Sequence, residues 1–145
     1  MKIVAKTDVG MVRESNQDSY TTGELPNGVA WAVVCDGMGG AAGGNVASST
    51  AVKVIAEQIT SSFRPGMSAN SIKNMMVSAI NAANISVYDI SCSNSELYGM
   101  GTTVVCAIVM EHIAYIAHAG DSRAYIVSHL SLIHISEPTR RSYIS

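Results

Sequence analysis

The run 29–35, VAWAVVC, constrains this chain most because it is almost continuously apolar. A short apolar run bounded by turn residues is typical of a strand deep in a sheet. It ends at Asp36, and a glycine-rich stretch, 37–44, follows. A carboxylate there projects from a rigid base, and Gly37 lets the backbone approach a ligand closely. The pattern therefore predicts a binding site at the end of this strand.

The remaining pattern predicts an α+β chain of strands, two long helices and an antiparallel meander. Helical spacing of apolar residues predicts one helix from Asn45 to Arg64 and a second over 72–90, with Ser68 or Ser71 as its cap. The glycine-rich stretch 37–44 is predicted to be a loop. Strands are predicted over 3–5, 19–22, 29–35, 102–110, 113–119 and 124–127, with a tight turn at 111–112.

Composition narrows the class of protein. A chain of 145 residues with 48% hydrophobic residues can form one globular domain. The formal net charge of -2 gives no electrostatic reason to expect a nucleic acid or an anionic membrane as partner. Charged residues interrupt the first apolar residues too early for a signal peptide, and no apolar run is long enough to span a membrane. We therefore expect a cytoplasmic protein.

The acidic residues suit a hard divalent metal. Asp18 and Asp36 have a spacing that fits two strands side by side. Their carboxylates, with the carbonyl of Gly37, are the oxygen ligands that Mg²⁺ and Mn²⁺ prefer. The histidines lack zinc-ligand spacing, and no cysteine is followed by the arginine that a thiol phosphatase needs.

Four motifs occur in a fixed order: VRESNQD at 12–18, CDGMGG at 35–40, GMGTT at 99–103 and GDSRAY at 120–125. In this combination the chain resembles the metal-dependent protein phosphatases of the PPM type (protein phosphatase 2C-like), in their bacterial form. The resemblance covers 1–128. It implies a four-layer α/β/β/α sandwich of antiparallel sheets flanked by helices, of which this chain supplies a truncated, N-terminal part.

The resemblance also implies the site and its chemistry. Asp36 would bridge two Mn²⁺ or Mg²⁺ ions, Gly37 would contribute its carbonyl, and Asp18 would support the ions directly or through water. Asp121 would belong to a third, weaker metal, and Arg13 would hold the substrate phosphate. A metal-activated water would then hydrolyse phosphoserine or phosphothreonine in proteins, in opposition to a serine/threonine kinase.

Several positions depart from the family pattern. Met38 and Ala41 stand where relatives carry histidine, so no general acid is assigned to a side chain. Thr102 and Thr103 are expected to be structural. The later metal-binding motifs, Ser-Asp-Gly and Asp-Asn, do not occur in this sequence. The segment 129–145 resembles a translated sequencing adapter and is expected to be non-native.

Two alternatives remain. One is a non-catalytic protein of the PPM fold, and the chain as given is itself expected to be inactive. The other is a dinucleotide-binding domain, because residues 37–42 fit G-x-G-x-x-A between a strand and a helix. Asp36 beside a pyrophosphate and the position of Glu57 within a predicted helix count against the second alternative.

Overall fold

The computed structural model describes residues 1–128 and 131–134. Within them, the strands and helices confirm the predicted α+β class. The elements in chain order are β1 (Asp18–Leu25), a 3-10 turn (Pro26–Gly28), β2 (Val29–Met38), α1 (Gly40–Ser62), α2 (Ala69–Ser93), a 3-10 turn (Ser95–Leu97), β3 (Gly101–Thr102), β4 (Val104–Met110), β5 (Ile113–Ala119), β6 (Tyr125–Ser128) and β7 (Ser131–His134).

One antiparallel sheet has the strand order β1-β2-β4-β5, and the short strand β3 also pairs with β2. The strands β6 and β7 form a separate antiparallel pair. A dinucleotide-binding unit needs parallel strands joined by a crossover helix. The antiparallel pairing of β2 with its neighbours therefore contradicts the dinucleotide alternative.

The core lies between the sheet and the two helices. Val33 and Ile108 of the sheet are completely buried, as are Ile55 and Ile59 of α1. The predicted apolar stripe of α2 is confirmed. Its buried members include Ile72, Met76, Ala79, Ala83 and Val87. Helix α1 therefore packs directly on β1 and β2, which carry Asp18 and Asp36, and α2 packs on α1 and on β5.

The cap of α2 is Ser68, one of the two predicted candidates. Its hydroxyl oxygen accepts a hydrogen bond from the backbone N–H of Ser71 at 3.2 Å. A side-chain oxygen at this position satisfies one of the N–H groups that a helix leaves unpaired at its start.

The prediction of a loop over 37–44 is wrong at both ends. Strand β2 continues to Met38, and α1 begins at Gly40 instead of Asn45. Only Gly39 turns the chain between them, with a φ of 126° that a glycine adopts easily. Asp36 and Gly37 are therefore held within a paired strand.

Three other predictions differ from the structure. Residues 3–5 form no regular strand. The strand predicted over 102–110 is divided at Thr103 into β3 and β4. Within the described residues, β6 pairs with β7, so the meander does not continue from β5.

Strand β7 lies inside the segment 129–145, whose other residues fall outside the described part of the chain. The interpretation of that segment as non-native stays a prediction. Across the described residues, neither helix is apolar enough over sufficient length to cross a bilayer.

Candidate functional site

Asp18 and Asp36 face each other in the antiparallel register of β1 and β2. Both are exposed, but protein atoms withdraw part of the Asp36 carboxyl from water, and this desolvation is the largest cause that raises its pKa. The negative charge of Asp18 raises the pKa of Asp36 further, as does a hydrogen bond that the protonated Asp36 donates to Asp18. The two predicted carboxylates therefore lie side by side.

Arg13 lies close enough that its positive charge lowers the pKa of Asp36, against the other effects. It also shares a cleft of about 540 Å³ with Asp36 and Gly37. The cleft is lined by Arg13, Glu14, Ser15, Gln17, Asp36, Gly37, Met38 and Gly39. Two of the four sequence motifs thus form one concave surface.

Gly37 cannot carry a side chain in this position. A Cβ atom there would collide with the carbonyl oxygen of Gly44 in α1. The Gly37 N–H donates to the carbonyl of Gln17 at 3.1 Å. The absence of a side chain therefore lets α1 start directly against β2.

Gln17, directly before β1, is hydrogen-bonded to both β2 and α1, although no sequence pattern had marked it. Its carbonyl accepts hydrogen bonds from Gly37 and, at 2.7 Å, from the Ser48 hydroxyl of α1. Its side-chain amide donates to the carbonyl of Gly40. The only available signal was its place next to Asp18 in the first motif.

Thr102 and Thr103 bind the backbone of Asp36 from the other side. The Thr102 hydroxyl and the Thr103 N–H donate to the Asp36 carbonyl at 3.0 and 2.9 Å. The Asp36 N–H donates to the Thr103 hydroxyl at 3.1 Å. Both threonines are buried, so these bonds are shielded from water.

Asp121 is less closely associated with the other carboxylates. It is exposed after the end of β5, and its charge is the smallest of the effects that raise the pKa of Asp36. In the part of the chain that the structure describes, no three His, Cys, Asp or Glu side chains are close enough to hold a metal ion. The structure therefore brings together Arg13, Asp18, Asp36 and Gly37, with Asp121 only within electrostatic range.

Among the described residues that line the cleft there is no histidine, and Met38 is one of them. A larger groove of about 940 Å³ lies between α2 and β5, with His112 and His118 among its lining residues. No residue of the predicted site lines that groove, so the smaller cleft is the candidate site.

Comparison with known proteins places this geometry in a family. The family model described as "Protein phosphatase 2C" matches residues 12–145. A putative protein phosphatase 2C-type of Streptococcus pyogenes is 35% identical over 128 residues, which are 88% of this chain and 50% of that protein. The chain thus spans about half the length of the curated relatives it matches.

Solved structures of serine/threonine phosphatases also superpose on this chain. The serine/threonine phosphatase Stp1 from Staphylococcus aureus superposes with a TM-score of 0.77 at 33% identity, covering 92% of this chain and 52% of that one. The catalytic domain of the serine/threonine protein phosphatase PstP, in complex with two manganese ions, superposes with a TM-score of 0.74 at 28% identity. That match covers 92% of this chain and 54% of the PstP domain. The chain therefore belongs to the protein phosphatase 2C family.

Proposed function

We propose that residues 1–128 are the N-terminal part of a phosphatase domain that hydrolyses phosphoserine and phosphothreonine in proteins. The observation that carries the proposal is the pair Asp18 and Asp36, which face each other across β1 and β2 beside Arg13. The similarity to proteins named serine/threonine phosphatases supports the substrate class.

The donor set fits Mn²⁺ or Mg²⁺. Asp18 and Asp36 are like charges held together, which raises the pKa of Asp36, and a divalent cation between them would relieve the repulsion. Carboxylate and carbonyl oxygens are the ligands of such hard ions. We assign Asp18, Asp36 and the carbonyl of Gly37 to the metal ions, with Asp121 as a further, more distant ligand.

Two or three bound ions would supply a water of lowered pKa and would neutralise phosphate charge. The protein holds the reacting groups. Arg13, on the wall of the same cleft, can donate two parallel hydrogen bonds to phosphate oxygens through its planar guanidinium. The hydrogen-bonded backbone of Asp36 keeps its carboxylate at a constant position opposite that phosphate.

The second candidate is a non-catalytic protein of the same fold. It is favoured by the observation that only two carboxylates come close together in the described residues. On this ground we propose that the 145-residue chain alone is inactive, and that activity needs ligands beyond those described.

The test compares this chain with the full-length protein that contains these residues. We expect the full-length protein to release phosphate from a phosphothreonine peptide with Mn²⁺ and to lose this activity in chelator. Asp36→Asn should abolish turnover, while Glu24→Gln, on the same strand as Asp18 but outside the cleft, should leave it intact. Full activity of Asp36→Asn would overturn the metal assignment, and metal-dependent turnover by the 145-residue chain would overturn its proposed inactivity.

We assign the protein to the cytoplasm and expect a serine/threonine kinase to supply its phosphorylated substrates. Phosphorylation of the same proteins by that kinase is the reaction that must precede hydrolysis.

A further inference from the structure

We propose that Thr103 is a positioning residue whose hydroxyl sets the place of Asp121 relative to Asp36. The inference rests on the proposed function, because it assigns both aspartates to one metal site.

The first link joins Thr103 to Asp36. The register of β2 with β3 and β4 places the two residues opposite each other. In a regular antiparallel ladder every second pair of opposite residues exchanges two backbone hydrogen bonds, and the bond from the Thr103 N–H to the Asp36 carbonyl marks this pair as one of them. Here Thr103 N–H donates to the Asp36 carbonyl, but the Asp36 N–H donates to the Thr103 hydroxyl at 3.1 Å. A side chain has replaced one backbone acceptor.

The second link joins the same hydroxyl to the segment that carries Asp121. The Thr103 and Ser122 hydroxyl oxygens lie 2.5 Å apart. While the Thr103 oxygen accepts from the Asp36 N–H, it keeps its own proton and a second lone pair, so either hydroxyl can be the donor in the Thr103–Ser122 bond. Ser122 directly follows Asp121, in a stretch between β5 and β6 without regular secondary structure.

One buried oxygen atom therefore bridges the two carboxylate-bearing segments. Thr103 is only 3% exposed, so water does not compete strongly for its hydrogen bonds. Partners that orient metal ligands typically matter by about 10- to 100-fold in metal affinity or activity. Thr103 is such a partner for the backbone of Asp36 and, through Ser122, for the segment of Asp121.

Thr102 offers a matched control. Its hydroxyl also donates to the Asp36 carbonyl, but its other partner is the Thr103 carbonyl, and neither partner lies in the segment of Asp121. Thr102→Val removes one bond to Asp36 and leaves the Thr103–Ser122 link in place. Thr103→Val removes both hydrogen bonds of the Thr103 hydroxyl but keeps the bond from its N–H to Asp36, and Thr103→Ser keeps the hydroxyl.

The experiment measures backbone NMR order parameters of residues 120–123 in the metal-free, full-length protein. We expect them to fall from about 0.85, the range of a rigid backbone, toward about 0.6 in Thr103→Val and in Ser122→Ala, with no further fall in the double variant and recovery in Thr103→Ser. Thr102→Val should leave this stretch unchanged. Equal order parameters in wild type and Thr103→Val, or an equal fall in Thr102→Val, would overturn the inference.

Mn²⁺ affinity by calorimetry gives the second readout. We expect a loss of about tenfold in Thr103→Val and restoration in Thr103→Ser. An unchanged affinity in Thr103→Val would contradict the positioning role. If wild type binds no Mn²⁺, the proposed function fails, while the order parameters still decide whether Thr103 holds the Asp121 segment. If Thr103→Val does not fold, the same measurements on Ser122→Ala test the inference. Ser122 is only half-buried, so its replacement by alanine should not prevent folding.

Discussion

Asp18 and Asp36 lie directly opposite each other in the pairing of β1 with β2, so two carboxylates of like charge lie side by side. Strands β1 and β2 are stabilised by α1, which packs on both, and by the hydrogen bonds of Gln17, Thr102 and Thr103. These contacts therefore hold together two carboxylates that repel each other.

Asp18→Asn should stabilise the metal-free protein at pH 7 by a few tenths of a kcal/mol, since exposed like-charge pairs cost about that much. The pKa of Asp36 is raised in the folded state. Ionisation of Asp36 therefore opposes folding as the pH rises above about 4, its ordinary pKa. The stabilisation by Asp18→Asn should shrink as the pH falls below that value.

Urea unfolding with chelator at pH 7 and pH 3.5 checks this, with Glu24→Gln on the same strand as control. A destabilised Asp18→Asn at pH 7 would contradict it.

Mn²⁺ should reverse that order of stability. A ligand that binds only the folded state adds about 2.7 kcal/mol at a concentration of 100 Kd. Wild type should gain this stabilisation, whereas Asp18→Asn and Asp36→Asn should gain much less because each lacks a carboxylate ligand. Thermal unfolding with and without Mn²⁺ measures the gain. Equal gains in all three proteins would show that the ion binds elsewhere.

Arg13→Ala in the full-length protein should lower kcat/KM for a phosphothreonine peptide by about 10- to 100-fold. Hydrogen bonds to charged groups contribute about 1.5–3 kcal/mol, and this side chain lines the cleft beside Asp36. Arg13→Lys should recover only part of the loss because an ammonium cannot form the two parallel bonds. Arg64→Ala, outside the cleft, is the control. Steady-state kinetics decides, and full recovery by lysine would argue against the bidentate contact.

Gly37→Ala should destabilise the metal-free protein by about 1–3 kcal/mol, because its Cβ would collide with the Gly44 carbonyl and force β2 away from α1. Gly43→Ala is the matched control. Its Cβ would lie 3.1 Å from the Met100 Cβ, and alanine is the better helix former. Its net effect should be small. Urea unfolding compares the two variants, and equal effects would contradict the predicted collision.

Much of the candidate site could be predicted from the sequence. Apolar and β-branched runs predicted β1, β2, β4 and β5, and the spacing of Asp18 and Asp36 predicted adjacent strands. The start of α1 could not be predicted, because glycine disfavours helices. Close packing overrides that preference at Gly43 and Gly44, where a Cβ would approach Met100 and Gln17.

The sequence by itself determined the four long strands β1, β2, β4 and β5 and the existence of both helices, because local apolar periodicity and turn residues encode them. The end of β2, the start of α1 and the division between β3 and β4 depend on tertiary contacts. Tertiary structure alone decided which groups hold the site residues in place. The bond between Asp36 and Thr103 joins residues 67 positions apart, and that between Thr103 and Ser122 joins residues 19 apart. No local pattern encodes such bonds, since they form only after the sheet register brings the partners together.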